Sequence, residues 1–299
     1  MSNGRSPSAD VRALHEDILA WYDEHQRDLP WREPDCSAWG VLLSEVMAQQ
    51  TPLARVEPLW REWMERWPTP ADLAAAPPGE VIRAWGRLGY PRRALRLHEA
   101  ACAIVDRHGG EVPADHDLLL ALPGIGTYTA AAVSSFAFGD PRVVVDTNVR
   151  RVLARTLSGE AQAAPTLTRA ESDLAASVMP EDRDAANTWN VAVMELGALV
   201  CTARSPGCDV CPVTQHCAWF RAGRPPHTGP VRRGQAWHGT DRQARGALLA
   251  VLRTATGSVP HAALAAVWDD DVQRERALDS LVADGLVEPL PRRRFRLPA

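Results

Sequence analysis

The sequence contains no lysine, and arginine supplies all 33 of its basic residues. Without a lysine side chain, an enzyme that uses a lysine Schiff-base nucleophile is excluded. The sequence also lacks an apolar run long enough to span a membrane, so we expect no membrane partner. Its first residues, MSNGRSPSADVRA, lack the apolar core of a signal peptide, and we therefore expect a cytoplasmic protein.

An excess of positive charge is missing too, since the formal net charge at pH 7 is −4. The whole chain is therefore not a basic nucleic-acid binder, and any such contact needs local arginine clusters or backbone donors. Apolar residues make up 45% of the 299 residues, which is enough for a sizeable core and for two or three domains.

Strand signals are scarce, and helical periodicity dominates residues 9–220. Apolar residues recur every three or four positions, which predicts amphipathic helices, while prolines cut the chain into helices of ordinary length. The one strand-like run, VVV at 143–145, is too short to found a sheet. The helical segments are VRALHEDILAWY, WGVLLSEVMAQQ, PLWREWMERW, LRLHEAACAIV, TAAAVSSFAF and NTWNVAVMELGALV. We predict an all-α fold for this part of the chain.

The C-terminal part has a different pattern. Residues 221–240 are rich in proline, glycine and arginine, which predicts a linker. Residues 241–299 have the pattern of three helices and a short hairpin, which predicts a small winged-helix-like domain.

Six cysteines fall into two groups. Cys36 and Cys102 stand alone in apolar, helical surroundings, as small buried residues do. The other four lie within 17 residues, which in a cytosolic protein favours a metal site over disulfides; they are Cys201, Cys208, Cys211 and Cys217. Their spacing does not match the paired C-x2-C of a zinc ribbon, and the thiolates suit zinc or an iron–sulfur cluster equally well.

The segment ALPGIGTYTAA at 121–131 places two glycines between an apolar run and a run of small residues. A dinucleotide loop needs a third glycine at 129, where threonine stands, and a preceding strand, where the pattern is helical. Two alternatives remain: a plain turn between helices, or a helix-hairpin-helix in which Gly124 and Gly126 let backbone N–H groups bind a phosphate.

The longer segment LPGIGTYTAAAVSSFAFGDPRVVVDTNVRRVLAR resembles the helix-hairpin-helix DNA glycosylases, with Asp146 where that superfamily has its aspartate. Four further motifs are similar to the adenine DNA glycosylases of the MutY type: WYDEHQRDLPWR, LLSEVMAQQT, RLGYPRRALRLHEAA and VMELGALVC. The resemblance covers residues 9–220. It implies a two-lobed fold, with a six-helix lobe at about 35–142 and a cluster lobe from 9–34 and 143–220. It also implies a [4Fe–4S] cluster held by the four clustered cysteines.

The resemblance implies a monofunctional glycosylase that extrudes adenine from mispairs with 8-oxoguanine or guanine and leaves an abasic site. Glu45 would protonate the leaving base, Asp146 would stabilise the oxocarbenium-like sugar, and Asn148 would orient Asp146 or the water. Tyr128, just after the hairpin, would lie beside Glu45. Bifunctional relatives carry a lysine at the position of Tyr128. Helix-terminal placement of Asp146 should also keep its carboxylate ionised.

DNA contacts are implied in three motifs. AQQT and LGYPRR match the family's motifs for the wedge that fills the gap left by the extruded base and for the side chains that contact the opposite base. The hairpin glycines would hold phosphate. These residues are Gln49, Gln50, Thr51, Gly89, Tyr90, Gly124 and Gly126. Two arginine clusters are equally compatible with phosphate binding and with solvated helix faces. The first cluster contains Arg92, Arg93 and Arg96, and the second contains Arg150, Arg151 and Arg155. The chain departs from the family at Thr147, usually glycine, and at Pro91, usually aromatic.

Two other functions stay open at this stage: a pyrimidine-mismatch glycosylase of the same superfamily, and a non-catalytic cluster protein that binds DNA as a regulator. We expect a monomer whose partner is double-stranded DNA. The C-terminal 60 residues are too short and too helical for the β-rich 8-oxoguanine-reading domain of many relatives. Four wing arginines would instead contact phosphate without base discrimination; they are Arg292, Arg293, Arg294 and Arg296.

Overall fold

The structure is a computed structural model that describes residues 9–229 and 237–299. The described residues form fifteen α-helices and three short strands. In chain order the helices are α1 (Ala9–His25), α2 (Ala38–Ala48), α3 (Leu53–Arg66), α4 (Pro70–Ala75), α5 (Pro78–Ala84), α6 (Arg92–His108), α7 (His116–Leu120), α8 (Thr127–Phe138), α9 (Thr147–Leu153), α10 (Arg169–Ser177), α11 (Arg183–Leu199), α12 (Ala218–Arg221), α13 (Asp241–Thr254), α14 (His261–Ala265) and α15 (Asp271–Ala283). The strands are β1 (Val259–Pro260), β2 (Glu288–Leu290) and β3 (Arg294–Arg296).

The helical predictions are confirmed: the six apolar-periodic segments lie in α1, α2, α3, α6, α8 and α11. Polar residues define several helix starts. The Ser37 hydroxyl accepts from the Gly40 N–H at the start of α2, and capping boxes begin α4 at Thr69 and α10 at Thr168. Residues 143–145 form no strand, as their length predicts.

The described chain folds into two compact units. The first comprises 9–34, 114–116 and 126–229, and the second comprises 35–113, 117–125 and 237–299. The lobe and linker boundaries expected from the sequence remain predictions, and residues 1–8 and 230–236, which include part of the predicted linker, lie outside the described residues.

In the first unit, α1, α9 and α11 pack their apolar faces together. Ile18, Val152 and Leu196 are each at most 1% exposed in this core. The carboxylate of Glu195, also 1% exposed, accepts from Arg27 Nε at 2.6 Å and from Arg32 Nη2 at 2.9 Å. Burial raises the pKa of Glu195, but these hydrogen bonds and charges overcome it and hold the pKa at about 2. These ion pairs on a buried carboxylate thus connect the WYDEHQRDLPWR and VMELGALVC motifs.

In the second unit, α2–α6 surround buried tryptophans, and Trp63 stacks edge-on against Trp85 at a centroid distance of 5.5 Å. Residues 241–299 form three helices and an antiparallel sheet with strand order β1-β3-β2. Phe295 pairs with Val259 on one side and Pro289 on the other. The winged-helix-like prediction is confirmed, and β1 is one strand more than the predicted hairpin.

The winged-helix-like domain packs on α5 and α6 of the same unit. Ile82 of α5 is fully buried within the apolar cluster of α13–α15, and Leu95 of α6 packs against that cluster. Arg253 Nε donates to the Ile82 carbonyl at 3.0 Å, and Arg92 pairs with Asp284 at 3.3 Å. The domain therefore shares a hydrophobic core with the helices that follow and precede the LGYPRR motif.

No helix in the described part of the chain has the length and apolar character needed to cross a membrane.

Candidate active site and cluster loop

Asp146 is the N-cap of α9. Its Oδ1 accepts from the backbone N–H groups of Asn148 at 2.8 Å and Val149 at 2.7 Å. Its Oδ2 accepts from Asn148 Nδ2 at 2.7 Å. These bonds satisfy the exposed donors at the helix start and fix both carboxylate oxygens. Thr147, where the family usually has glycine, is the exposed first helical residue, and it leaves this arrangement intact.

The pKa of Asp146 is raised from its ordinary value, because burial penalises the carboxylate more than the bonds from Val149 and Asn148 favour it. The expectation that the helix N-terminus keeps this carboxylate ionised stays a prediction. The sequence showed the helix cap, but it could not show how far the surrounding residues remove water from the carboxylate.

The Asn148 amide is held from its far side. Arg151 Nη2 donates to Asn148 Oδ1 at 2.7 Å and to the Gly197 carbonyl at 2.6 Å, while Arg151 Nε donates to the Cys201 carbonyl at 2.7 Å. These contacts leave Nδ2 of Asn148 directed at Asp146. Gly197 allows the close approach of α11, because a Cβ there would lie 2.7 Å from Asn148 Cβ. The sequence pattern did not indicate this role for either Arg151 or Gly197.

Tyr128 and Glu45 lie on different units. Tyr128, in the first turn of α8, is half-buried and packs against Ala131, Ala132 and Val144. Glu45, in α2, is half-buried and adjoins Ser44 at 1% exposure and Val46 at 4%. Leu42, Leu43 and Met47, which flank Glu45 in the sequence, are fully buried, so α2 places Glu45 beside apolar core residues of its own unit.

The hairpin glycines serve different purposes. Gly124 has φ +75°, and an added Cβ would lie 2.6 Å from Arg96 Cβ, so both backbone conformation and space require glycine. Gly126 is the extended N-cap of α8 with open space where a Cβ would project. Having no side chain, it cannot cap the helix itself. The turn therefore leaves room beside the positive end of α8, as phosphate binding requires.

Gln50 and Tyr90, the predicted wedge and probe, share an unusual backbone. Their φ angles are +53° and +47°, the left-handed region that non-glycine residues seldom occupy. Gln50 is exposed and Tyr90 is 47% exposed, whereas Thr51 is only 8% exposed. Gln49 is the C-cap of α2, and Gly89 has φ +92°. Exposed side chains on a left-handed backbone of this kind are typical of ligand-contacting loops.

All four clustered cysteines line one cavity, which is closed by Val152, Leu196 and Trp219 among others. Their thiols form no disulfide. Burial raises the pKa of the Cys211 thiol to about 11, so its thiolate needs the positive charge of bound metal. In the described part of the chain, no three His, Cys, Asp or Glu side chains surround a single metal-ion position. The fit to a cluster rests on the shared cavity and the four soft donors.

Arg155 organises the cluster loop from the end of α9. It is 3% exposed, lies over the Trp219 ring at 4.7 Å, and its Nη1 donates to Cys201 Sγ at 3.3 Å. It also donates to the carbonyls of Thr202 and Ala161. Arg155 is therefore a structural residue of the loop, a role that the sequence pattern did not indicate.

Most arginines predicted as phosphate contacts are engaged within the protein. Arg150 is 8% exposed and pairs with Glu171 at 2.7 Å, and Arg96 pairs with Glu99 at 2.7 Å. In the wing, Arg294 donates to Ser258, Arg296 pairs with Glu288 at 2.8 Å, and Arg293 pairs with Glu275 at 3.5 Å. Arg150 and Arg155 are buried, and Arg93 and Arg151 donate to backbone carbonyls, so these four side chains are engaged within the protein and do not form solvated helix faces. Their contact with phosphate stays a prediction.

Comparison with known proteins places this geometry in a family. A model described as HhH-GPD superfamily base excision DNA repair protein matches residues 43–176, and the iron–sulfur binding domain of endonuclease III matches 201–217. A protein of Mycolicibacterium smegmatis named adenine DNA glycosylase is 56% identical over 282 residues, spanning 94% of this chain and 94% of that protein. The chain belongs to the adenine DNA glycosylase family.

Other relatives agree. The adenine DNA glycosylase of Mycobacterium tuberculosis is 54% identical over 283 residues, spanning 94% of this chain and 92% of that protein. Among solved structures, a thermostable thymine-DNA glycosylase has a TM-score of 0.63 at 26% identity, covering 71% of this chain and 97% of that one. A trapped endonuclease III–DNA covalent intermediate has a TM-score of 0.62 at 25% identity, covering 74% and 100%.

These findings confirm the predicted helix-hairpin-helix glycosylase fold and the predicted [4Fe–4S] cofactor. Within this family, the loop 201–217 is the iron–sulfur segment, and residues 241–299 lie outside both matched models.

Proposed function

We propose that this protein is a monofunctional DNA glycosylase that extrudes adenine mispaired with 8-oxoguanine or guanine and hydrolyses its N-glycosidic bond. The carrying observation is the identity of 56% to an adenine DNA glycosylase across nearly the whole chain, together with the half-buried, hydrogen-bonded carboxylate of Asp146. The enzyme acts as a monomer on double-stranded DNA, and we expect it in the cytoplasm, at the nucleoid.

The two carboxyls take different parts of the reaction. Glu45 donates a proton to N7 of the adenine, which makes the purine a better leaving group, and then positions the water. Asp146 faces the positive charge that develops on the deoxyribose. Asn148, fixed by Arg151, keeps one oxygen of Asp146 oriented. Gln49, Gln50, Thr51, Gly89 and Tyr90 contact the duplex around the extruded base.

The absence of lysine supports monofunctional chemistry. Tyr128 stands just after the hairpin, where bifunctional relatives carry a lysine nucleophile, and no lysine occurs elsewhere in the chain. The reaction then ends at hydrolysis and leaves an abasic site. Cys201, Cys208, Cys211 and Cys217 hold the [4Fe–4S] cluster, which supplies no reacting group and stabilises the loop that Arg155 ties to α9.

A thymine-mismatch glycosylase is the second candidate, because the thymine-DNA glycosylase structure shares this fold. A panel of duplexes with a single mismatch separates the two: adenine opposite 8-oxoguanine, guanine and cytosine, and thymine opposite guanine. We expect strand cleavage after alkali for adenine opposite 8-oxoguanine and guanine. Thymine release without adenine release would support the second candidate, and no release from any duplex would support a DNA-binding regulator.

Borohydride reduction tests the monofunctional part. We expect no stoichiometric protein–DNA adduct, because the chain offers no side-chain amine. Efficient trapping that survives blocking of the N-terminal amine would contradict it.

A further inference from the structure

Arg93 lies between the two loops that carry Gln50 and Tyr90, both within the second unit. Its side chain is half-buried, and the planar guanidinium lies over the Trp85 ring at 5.2 Å and the Tyr90 ring at 5.5 Å. Arg93 follows Tyr90 in the first turn of α6 and so reaches back across the loop that precedes it.

One nitrogen of Arg93 closes the C-terminal end of α2. Nη1 donates to the carbonyl oxygens of Val46 and Gln49, each at 2.8 Å, and of Met47 at 3.2 Å. Carbonyl groups in the last turn of a helix lack partners within the helix and carry partial negative charge, which a cation stabilises. This contact fixes the backbone immediately before Gln50.

The other nitrogen joins this helix end to the second loop. Nη2 donates to Thr51 Oγ1 at 3.2 Å and to the Gly89 carbonyl at 3.2 Å. One guanidinium therefore contacts the residues on both sides of Gln50 and the residue just before Tyr90. The Gly89 carbonyl has a second donor, Trp85 Nε1 at 2.8 Å, while the bonds from Arg93 join Gln49 and Thr51 to α6.

The backbone at Gln50 and Tyr90 needs such support. Left-handed conformations at non-glycine residues are strained and persist where neighbouring contacts hold them. The charge of Arg93 is kept despite burial, which lowers its pKa only to about 10. Its Nη1 and Nη2 atoms donate to carbonyl and hydroxyl oxygens of the protein, as those of an arginine that orders loops do.

We propose that Arg93 is a positioning residue for base recognition: its guanidinium holds Gln50 and Tyr90 in one fixed arrangement, and this arrangement sets the discrimination between bases opposite the adenine. The inference rests on the proposed adenine glycosylase function. It predicts that loss of Arg93 acts mainly through Gln50, because Trp85 still holds the Gly89 carbonyl.

A double-mutant cycle tests this. The variants are Arg93→Met, Gln50→Ala and both together, and the readout is the ratio of single-turnover adenine release opposite 8-oxoguanine to release opposite cytosine. We expect Arg93→Met to lower this ratio at least about tenfold, and the double variant to lose little beyond the larger single loss, because both changes remove the same ordered contact.

Arg66→Met is the matched control. Arg66 also lies over a tryptophan ring, that of Trp67 at 4.4 Å, but it pairs with Glu80 and contacts neither loop. It should leave the ratio unchanged. Should Arg93→Met fail to fold, Arg93→Lys replaces it; lysine keeps the charge but cannot bridge two loops with a planar fork, so the ratio should still fall severalfold.

The outcomes separate the two proposals. Failure of the unaltered protein to release adenine would reject the proposed function itself. Adenine release by the unaltered protein, with an unchanged ratio in a folded Arg93 variant or with fully additive losses in the cycle, would overturn the positioning role alone.

Discussion

Asp146 shows how one residue combines a structural and a chemical role. As an N-cap it accepts backbone bonds from Asn148 and Val149, which stabilises α9. The same bonds, with the Asn148 side chain, oppose the effect of burial on its pKa. Burial still prevails and the pKa is raised. The ionised form of Asp146 is the one that stabilises a sugar cation. The loss of activity at low pH, the acidic limb of the pH profile, should therefore reflect protonation of Asp146.

Replacing Asn148 with alanine removes the Nδ2 donor at 2.7 Å and should raise the pKa of Asp146 further. As pH falls, the carboxylate would then be lost at a higher pH than in the unaltered protein. The measurement is the single-turnover rate of adenine release as a function of pH, at saturating enzyme. Asn187→Ala, which removes an amide bonded to the Gly139 carbonyl at 2.8 Å, is the control and should leave the limb in place. If the rate falls at the same pH in Asn148→Ala as in the unaltered protein, the assignment of the acidic limb to Asp146 is contradicted.

At the scale of elements, the two glycines of the hairpin 121–126 differ: one is required by the fold, and the other is expected to serve DNA binding. Gly124 is required by its left-handed backbone and by Arg96, whereas Gly126 borders open space. A sequence motif gives both glycines the same weight, but the structure gives them different reasons.

We therefore expect Gly124→Ala to lower the free energy of unfolding by about 1–2 kcal/mol or more, through strain and contact with Arg96. Gly126→Ala should cost less stability but weaken duplex binding, because its methyl group would occupy the approach to the α8 N-terminus. Thermal unfolding and duplex affinity, measured for both variants, test this. Equal melting temperatures, or full DNA affinity in Gly126→Ala, would contradict it.

The sequence predicted the elements well and the arginines poorly, for a physical reason. Helix positions follow from apolar periodicity and proline breaks, which are local, and α1, α2, α6 and α11 appear where expected. The partner of an arginine is set by tertiary contact. Arg93 and Arg155 looked like surface charges but hold the recognition loops and the cluster loop. The left-handed backbone of Gln50 likewise depends on contacts distant in sequence.

At the scale of the whole molecule, residues 241–299 are part of the second unit's core. Ile82 is fully buried within their apolar cluster, and three wing arginines bond within the domain. Deleting the domain should therefore remove part of this core. Loss of stability in α5 and α6, which flank Tyr90, should accompany any loss of affinity, and the salt slope of DNA binding should change little.

Ile82→Ala tests the shared core without deleting it. Truncating a fully buried isoleucine should cost about 2–5 kcal/mol, because a cavity remains between α5 and the domain. The melting temperature should fall by several degrees, and limited proteolysis should cleave the chain near residue 240. Val272→Ala, at a valine 74% exposed on α15, is the matched control. A melting temperature in Ile82→Ala like that of the control would mean that the domain contributes no core to the unit.

The most direct test of the central claim is single-turnover base release from a duplex with one adenine opposite 8-oxoguanine, measured for the unaltered protein, Glu45→Gln and Asp146→Asn. The unaltered protein should release adenine and leave a strand that breaks only after alkali. Each variant should be at least about 10²-fold slower with duplex affinity retained, since acid–base and electrostatic contributions have that size. Near-normal release by either variant, or thymine release from a thymine–guanine mispair without adenine release, would contradict the account.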